Sequence, residues 1–279
     1  MKREGDDEAP PAGQPDKLTV GGAVLLALIA ISGFMTVGLL GQMLKKDALQ
    51  DPVTGVVALV VGPLIALFVA LVRYAPDKGT APALGLTPAP RVVPVVLATV
   101  AGLAAGLPVN DLILRMLELF PVKLEPAEAA ALADASAFSD AVLLGTYILL
   151  IPITHELLYR GFMLPRLVPR LKLWGAIGTV ALLHTGELFM SPRYLPSIFT
   201  LAVLAGIAAT AGGVWAAIAL HVSAQGSPFL ARELGLTVAG EGSKGEVVHL
   251  APPLMVGCGV VVLVAVVLML TVGRRRAVA

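Results

Sequence analysis

The chain has 279 residues, of which 57% are hydrophobic and 14% are charged, and its formal net charge is +1. An ordinary soluble domain carries roughly 25% charged residues, so this composition excludes a soluble globular enzyme, a disordered chain and a disulfide scaffold. The balanced charge gives no electrostatic basis for binding nucleic acid. The composition therefore predicts a membrane protein whose first partner is the lipid bilayer.

Eight apolar runs are long enough to cross a membrane as helices, which takes about 20 residues each. In chain order they are Leu18–Met43, Pro52–Val72, Val92–Leu107 with an amphipathic extension to Phe120, a run from near Ala137 through Thr154 toward Arg160, Leu173–Met190, Pro196–Thr210, Gly212–Leu230 and Leu254–Val272. Only Gly212 and Gly213 separate the sixth run from the seventh, so one bent helix is the alternative there. The expected fold class is all-α, with about eight transmembrane helices around a polar intramembrane cavity.

Three other segments lack the composition of a span. Residues 1–17 are polar and Pro-rich, which predicts a disordered cytoplasmic tail, and residues 18–273 then form the transmembrane domain. The Ala- and Glu-rich stretch Glu125–Asp140 suits a surface helix. Residues 231–250 are expected to form a mixed loop, and we assign no role to His249 within it.

The Lys and Arg residues predict the orientation, because these residues concentrate in the cytoplasmic loops of membrane proteins. With the N-terminus inside, the cytoplasmic segments carry more Lys and Arg than the opposite ones. Both termini are then cytoplasmic, and Arg274–Arg276 follow the last span as an anchor at the anionic leaflet. We expect an integral protein of a bacterial plasma membrane.

Ionisable side chains inside a membrane are costly and are therefore functional candidates. Three predicted spans each carry a histidine and a second polar group on the same helical face. These pairs are His155 with Tyr159 and Glu156 with Arg160 in the fourth span, His184 with Glu187 in the fifth, and His221 with Gln225 in the seventh. Such faces turn away from lipid, so the three spans are predicted to meet there. The plainer alternative is an interior ion pair between Glu156 and Arg160 with histidines that only hydrogen-bond between helices.

Several hydrolytic motifs are missing from the sequence. Tyr159 stands where an H-E-x-x-H zinc motif starting at His155 would place its second histidine. There is no G-x-S-x-G motif, Asp111 has no second aspartate for an intramembrane pair, and Cys258 is the single cysteine. The remaining chemistry uses Glu and His, with a carboxylate as the base for water and a histidine and an amide as donors to an oxyanion.

The stretch His155-Glu156-Leu157-Leu158-Tyr159-Arg160-Gly161 resembles the E-E-x-x-x-R motif of the CPBP family of intramembrane metalloproteases. This family comprises the CAAX prenyl endopeptidases and bacterial relatives in bacteriocin processing and immunity, also called the Abi family. Val180 to His184 resembles its F-x-x-x-H motif, and His221 to Gln225 resembles its H-x-x-x-N motif. The resemblance covers roughly residues 140–230 and keeps the order of the motifs.

The resemblance implies an endopeptidase that cleaves a peptide or membrane-protein substrate. By position, His184 would hold the water, and His221 with Gln225 would form the oxyanion hole. Glu156 and Arg160 match supporting positions of the motif. Tyr159 also lies beside the site, and Glu187 either supports His184 or approaches the membrane interface.

Position 155 departs from the family pattern in a way that bears on catalysis. His155 stands where the family has its first glutamate, the residue that activates water together with the histidine of the second motif. Either Glu156 or His155 takes over this task, or the protein does not cleave and instead binds a peptide or a membrane partner. A third alternative is a zinc site made by His155, His184 and His221 with an open fourth position. No other cofactor is expected.

Overall fold

The computed structural model describes residues 18–44, 52–76, 79–87, 89–119, 144–187, 194–235, 240–241 and 247–277. The α-helices in these ranges are α1 Val20–Leu44, α2 Pro52–Tyr74, α3 Thr80–Ala83, α4 Val92–Leu119, α5 Ile151–Glu156, α6 Leu164–Gly186, α7 Leu195–Gly212, α8 Val214–Glu233 and α9 Pro252–Ala277. Strands β1 (Gly240–Glu241) and β2 (Val247–Val248) pair antiparallel in a small hairpin. The architecture is all-α, as predicted from the composition.

Among the described residues, five helices are long and apolar enough to cross a membrane by their own composition, namely α1, α2, α4, α7 and α9. The predicted fourth, fifth and seventh spans are also helical where they are described, but they carry the polar side chains of the motifs and are not among these five. The sixth and seventh predicted spans are separate helices. Gly213 lies between them with a φ of 71°, a backbone conformation that a glycine adopts without strain.

Other predicted boundaries can be compared with the helices in part. The extension of the third span from Leu107 to Phe120 is present as far as Leu119, because α4 continues through Pro108 without a break. The fifth span was predicted to begin at Leu173, and a break in α6 falls at Lys172, whose φ is 57°. The tail 1–17 and the surface helix Glu125–Asp140 lie outside the described residues.

Two π-helical turns flank α5, Thr146–Leu150 before it and Leu157–Met163 after it. Each turn is followed within two residues by a proline, Pro152 in the first case and Pro165 in the second. A proline has no N–H to continue the regular helical hydrogen bonds, so the backbone near it changes its register. The second π-helical turn carries Tyr159 and Arg160 of the first motif. Turns of this kind are frequent at functional sites.

Helix α8 is held against α4 by a stripe of small residues. A Cβ atom added to Gly102 would overlap the Oγ atom of Ser223, and one added to Gly106 would overlap the Oγ atom of Ser227. Glycines four residues apart let two helix backbones approach closely, which is a common way to pack helices in membranes. This contact fixes the position of α8 and thereby of His221, which α8 carries toward the first motif.

His249, for which the sequence indicates no role, joins the end of the hairpin to α4. Its Nδ1 lies 2.8 Å from Oδ1 of Asp111, and its Nε2 lies 3.1 Å from Oε2 of Glu118. The same carboxylate of Asp111 accepts a hydrogen bond from Nε of Arg115 at 2.8 Å and one from the backbone N–H of Leu250 at 3.1 Å. The sequence did not indicate this contact, because the partner Asp111 is 138 positions away.

The hydrogen bonds from His249 predict a pH dependence of stability. Contacts with Asp111 and Glu118 raise the pKa of His249 above its usual value of 6.5. A group whose pKa is raised by folding contributes stability that is complete below its unfolded pKa and is lost as the pH rises through its folded pKa. We therefore expect the Tm of the detergent-solubilised protein to fall as the pH rises above about 6.5, and His249→Gln to weaken this fall. Equal pH dependence of Tm in wild type and His249→Gln would contradict the assignment.

Candidate functional site

The first motif is packed inside the protein. The exposed fraction is 0% for Glu156 and Tyr159 and 3% for His155 and Arg160. The rings of His155 and Tyr159 stack with their centroids 6.4 Å apart, as the spacing of four residues predicts. Charged side chains that are removed from water must find partners inside the protein. The hydrogen bonds of this motif therefore define the site.

Glu156 and Arg160 form a buried ion pair that reaches three further helices. Oε1 of Glu156 lies 3.1 Å from Nη1 of Arg160 and 2.7 Å from Nδ1 of His221 on α8. Nη1 of Arg160 also lies 2.8 Å from Nδ1 of His184 on α6. Nη2 of Arg160 donates to the carbonyl of Ala202 on α7. The ion pair predicted from the spacing is present, and it binds the three motifs to one another.

His155 and Glu187 form a second buried pair beside the first. Nδ1 of His155 donates to the carbonyl of Ile151 at 2.8 Å, and its Nε2 lies 2.8 Å from Oε2 of Glu187. The hydroxyl of Tyr159 donates to Oε1 of Glu187 at 2.6 Å. Glu187 is 7% exposed, although it directly follows the end of α6. The side chain of Glu187 is thus bonded to two residues of the first motif rather than to His184, the residue that the sequence suggested it would support.

The hydrogen-bond partners determine which ring nitrogens carry protons. A guanidinium only donates, so Nδ1 of His184 accepts and a neutral His184 carries its proton on Nε2. The carboxylate of Glu156 accepts, so Nδ1 of His221 donates. Because Nδ1 of His155 donates to a carbonyl, the short contact of its Nε2 with Glu187 requires one more proton between these two atoms. The pair of His155 and Glu187 shares this proton.

A group of three side chains in the site could hold a metal ion by residue type and spacing. One ligand atom each from His155, His184 and Glu187 lies within 4.8 Å of the other two. The predicted zinc site had His221 as its third ligand, but His221 is bonded through Nδ1 to Glu156, and Glu187 stands in the group instead. The sequence suggested the three histidines by residue type alone. Residue type does not show that a carboxylate already binds one of them, as Glu156 binds His221.

The contacts of Arg160 do not suit a metal ion in this group. A histidine that binds a metal through Nε2 needs its proton on Nδ1, usually donated to an acceptor such as a carboxylate or a carbonyl. Nδ1 of His184 faces a donor, Nη1 of Arg160, at 2.8 Å. The guanidinium also places a positive charge next to the group. His155 and Glu187 offer atoms that could bind a metal, but His184 does not. The three side chains together therefore fit a water molecule better than a metal ion.

Three buried atoms of the site have no hydrogen-bond partner among the residues that the structure describes, namely Oε2 of Glu156, Nε of Arg160 and Oε1 of Gln225. Buried polar atoms in proteins are nearly always paired, so each of these atoms has hydrogen-bonding capacity left for a water molecule or a substrate. Gln225 lies one turn beyond His221 on α8, and within the described residues its amide oxygen has no hydrogen bond to the other motif side chains. The carbonyl of Ala202 is the contact that sequence reasoning missed, because a backbone oxygen in an apolar helix gives no residue-type signal.

A cavity of about 680 Å³ adjoins the site on the side of Arg160. Arg160 and Gly161 line it, together with Arg91, Trp174 and Trp215. Trp215 is fixed by a hydrogen bond of 3.2 Å from its indole N–H to the carbonyl of Leu86. Arg160 thus borders the cavity while it holds Glu156 and His184.

Comparison with protein families identifies the segment that holds this site. Residues 137–226 match the family model described as type II CAAX prenyl endopeptidase Rce1-like. The matched segment contains all three motifs and every side chain of the two buried pairs, and the match supports a CPBP-family membrane protease. The resemblance seen in the motifs is thereby confirmed. Comparisons with curated proteins and with solved structures give no significant match.

The arrangement around Arg160 predicts that the purified protein binds no stoichiometric zinc. We expect less than about a tenth of an equivalent after purification without chelators, because a metal would have to displace Arg160 from Nδ1 of His184. Elemental analysis of wild type and His184→Ala measures this directly. About one equivalent of zinc in wild type that is lost in His184→Ala would contradict the prediction.

Proposed function

We propose that this chain, through its CPBP-like segment, is an intramembrane endopeptidase that hydrolyses a peptide bond of a membrane-associated substrate. One observation carries the proposal. Side chains of all three motifs meet in hydrogen bonds between Glu156, Arg160, His184 and His221, although they come from separate helices. An ion pair with only a structural role would not need two histidines on other helices in an order that matches a protease family.

The proposed roles follow from the donors and acceptors. His184 carries an N–H at Nε2 and holds the attacking water, while a carboxylate or histidine next to the first motif accepts the proton of that water. His221, when it carries a proton on Nε2 as well as on Nδ1, and the side-chain amide of Gln225 donate to the oxyanion. The accepted proton then passes to the leaving nitrogen. Arg160 and Tyr159 keep the carboxylates of the site in place.

The cavity beside Arg160 is the proposed route for the substrate. The cluster itself is buried, and Arg160 lies both in the cavity wall and in the cluster. By the Lys and Arg bias, Arg91 and the mouth of the cavity belong to the cytoplasmic side, with both termini in the cytoplasm of a bacterial cell. The substrate is then a peptide or membrane-protein segment that enters from that side.

A comparison of protein termini across the host membrane proteome tests this function without a guess about the substrate. Cells would express wild type, His184→Ala or the matched histidine control His249→Gln at equal levels. We expect new termini with wild type and His249→Gln, and none with His184→Ala. His184→Ala is preferred to Glu156→Ala, because removing one partner of a buried ion pair costs about 3–5 kcal/mol and affects folding.

The same experiment can overturn the proposal. Identical termini in all three samples, with each protein folded and inserted, would contradict proteolysis and favour a relative that binds a peptide or a membrane partner. Such a relative is suggested by the histidine at position 155 in place of the first glutamate.

A further inference from the structure

We infer that Glu187 supplies the carboxylate that the first motif of this chain lacks, and that it accepts the proton of the attacking water as a pair with His155. This inference rests on the proposed function, because it names the proton acceptor of that hydrolysis. The first motif offers His155 where a glutamate is expected, and the structure brings a carboxylate to this histidine from the end of α6.

The contacts of Glu187 are directed at the first motif. Its Oε1 accepts the hydroxyl of Tyr159, which is 28 positions away in the sequence, at 2.6 Å. Its Oε2 lies 2.8 Å from Nε2 of His155. His155 and Tyr159, which lie one helical turn apart, therefore hold the two carboxylate oxygens of Glu187. A side chain that only filled space at the end of a helix would not need two such short contacts, and at 7% exposure it gains nothing from solvent.

The spacing around Glu187 suits one water molecule that contacts all three side chains. Three atoms that lie within 4.8 Å of one another, one each from His155, His184 and Glu187, have a common point within about 2.8 Å of each of them, a normal hydrogen-bond distance. Each carboxylate oxygen of Glu187 has a second lone pair to accept a proton from this water. The tautomer of His184 with its proton on Nε2 does not suit a metal at that atom, but it can donate an N–H to the water.

Glu156 is less suited to this role because its charge already serves Arg160. Its Oε1 is bonded to Arg160 and His221, and the guanidinium has no other carboxylate within the described network. If Glu156 took up a proton, Arg160 would be left as an uncompensated buried cation, which is costly. Glu187 is bonded to a hydroxyl and to an imidazole with which it shares a proton, and an imidazole, unlike a guanidinium, can release its proton to a neighbouring group. Glu156 is therefore a positioning residue that holds Arg160 and His221.

The proposed step is a hydrolysis in which atoms and charges balance. The water gives a proton to Glu187, and its oxygen forms a bond to the carbonyl carbon of the substrate while the carbonyl electrons move to oxygen. The tetrahedral intermediate then re-forms the carbonyl and breaks the C–N bond, and the proton on Glu187 passes to the leaving nitrogen. The products are a carboxylic acid and an amine, and the pair of His155 and Glu187 returns to its first state.

A rescue experiment distinguishes this role from a structural one. The purified variants are Glu187→Gln, the double variant His155→Glu with Glu187→Gln, and the exposed control Glu233→Gln. They are assayed on a peptide spanning a cut site found with wild type. We expect Glu187→Gln to lower kcat about 100-fold or more with little change in KM, because a lost proton acceptor affects the chemical step. The double variant, which carries the glutamate at position 155, should have a kcat at least about tenfold higher than Glu187→Gln alone. Glu233→Gln should match wild type.

Each outcome has a distinct meaning. Glu187→Gln with a kcat within about threefold of wild type would overturn the inference and leave the proposed function intact. A folded double variant that stays as slow as the single variant would also overturn it, since a carboxylate at either position should serve. Wild type without turnover, together with unchanged termini in cells, would overturn the proposed function itself.

Tyr159→Phe keeps the inference testable if Glu187→Gln does not fold. This substitution removes only the hydroxyl that donates to Oε1 of Glu187. We expect it to lower kcat about tenfold and to leave the melting temperature close to that of wild type. Unchanged kcat in folded Tyr159→Phe would contradict a catalytic role for the carboxylate that this hydroxyl holds.

Discussion

A carboxylate and a guanidinium that are both hidden from solvent form the interaction on which the rest of this structure depends. Glu156 and Arg160 lie one turn apart on the same helical segment, and neither side chain has any exposed surface. Their remaining hydrogen-bonding capacity must be met inside the protein. Part of it is met by His184, His221 and the carbonyl of Ala202, so the helices that carry these groups are held to one point.

The helices can approach this point because small residues lie where they contact one another. Gly102 and Gly106 let α4 approach the backbone of α8. Gly161, directly after Arg160, packs its Cα against the segment after α3, where a Cβ would overlap the carbonyl of Leu84. Hydrophobic burial does not favour contact between helices in lipid, so close packing and polar contacts take its place. The polar site and the glycine contacts are therefore parts of one arrangement, in which packing sets the distances that the hydrogen bonds require.

The sequence predicted what depends on residue type and local spacing. Apolar runs predicted the helices, and the positions of His155, Glu156, Arg160, His184 and His221 predicted a meeting of three spans. The sequence did not predict which carboxylate binds which histidine, because three-dimensional packing decides which of several carboxylates lies close enough. Glu187 bonds to His155 and Tyr159 in addition to lying near His184, and Asp111 binds a histidine from a distant loop. The carbonyl of Ala202 was beyond prediction, since every residue has one.

Hydrogen bonds from Arg160 to His184 and from His221 to Glu156 hold these histidines in states suited to water rather than to a metal. The chain has four histidines, so ¹⁵N NMR of histidine-labelled protein, assigned by single His→Asn variants, can observe each ring. We expect His184 to have its proton on Nε2 and none on Nδ1, and Nδ1 of His221 to be protonated. A proton on Nδ1 of His184, with Nε2 free or shifted by a bound metal, would contradict the account and favour a metal centre.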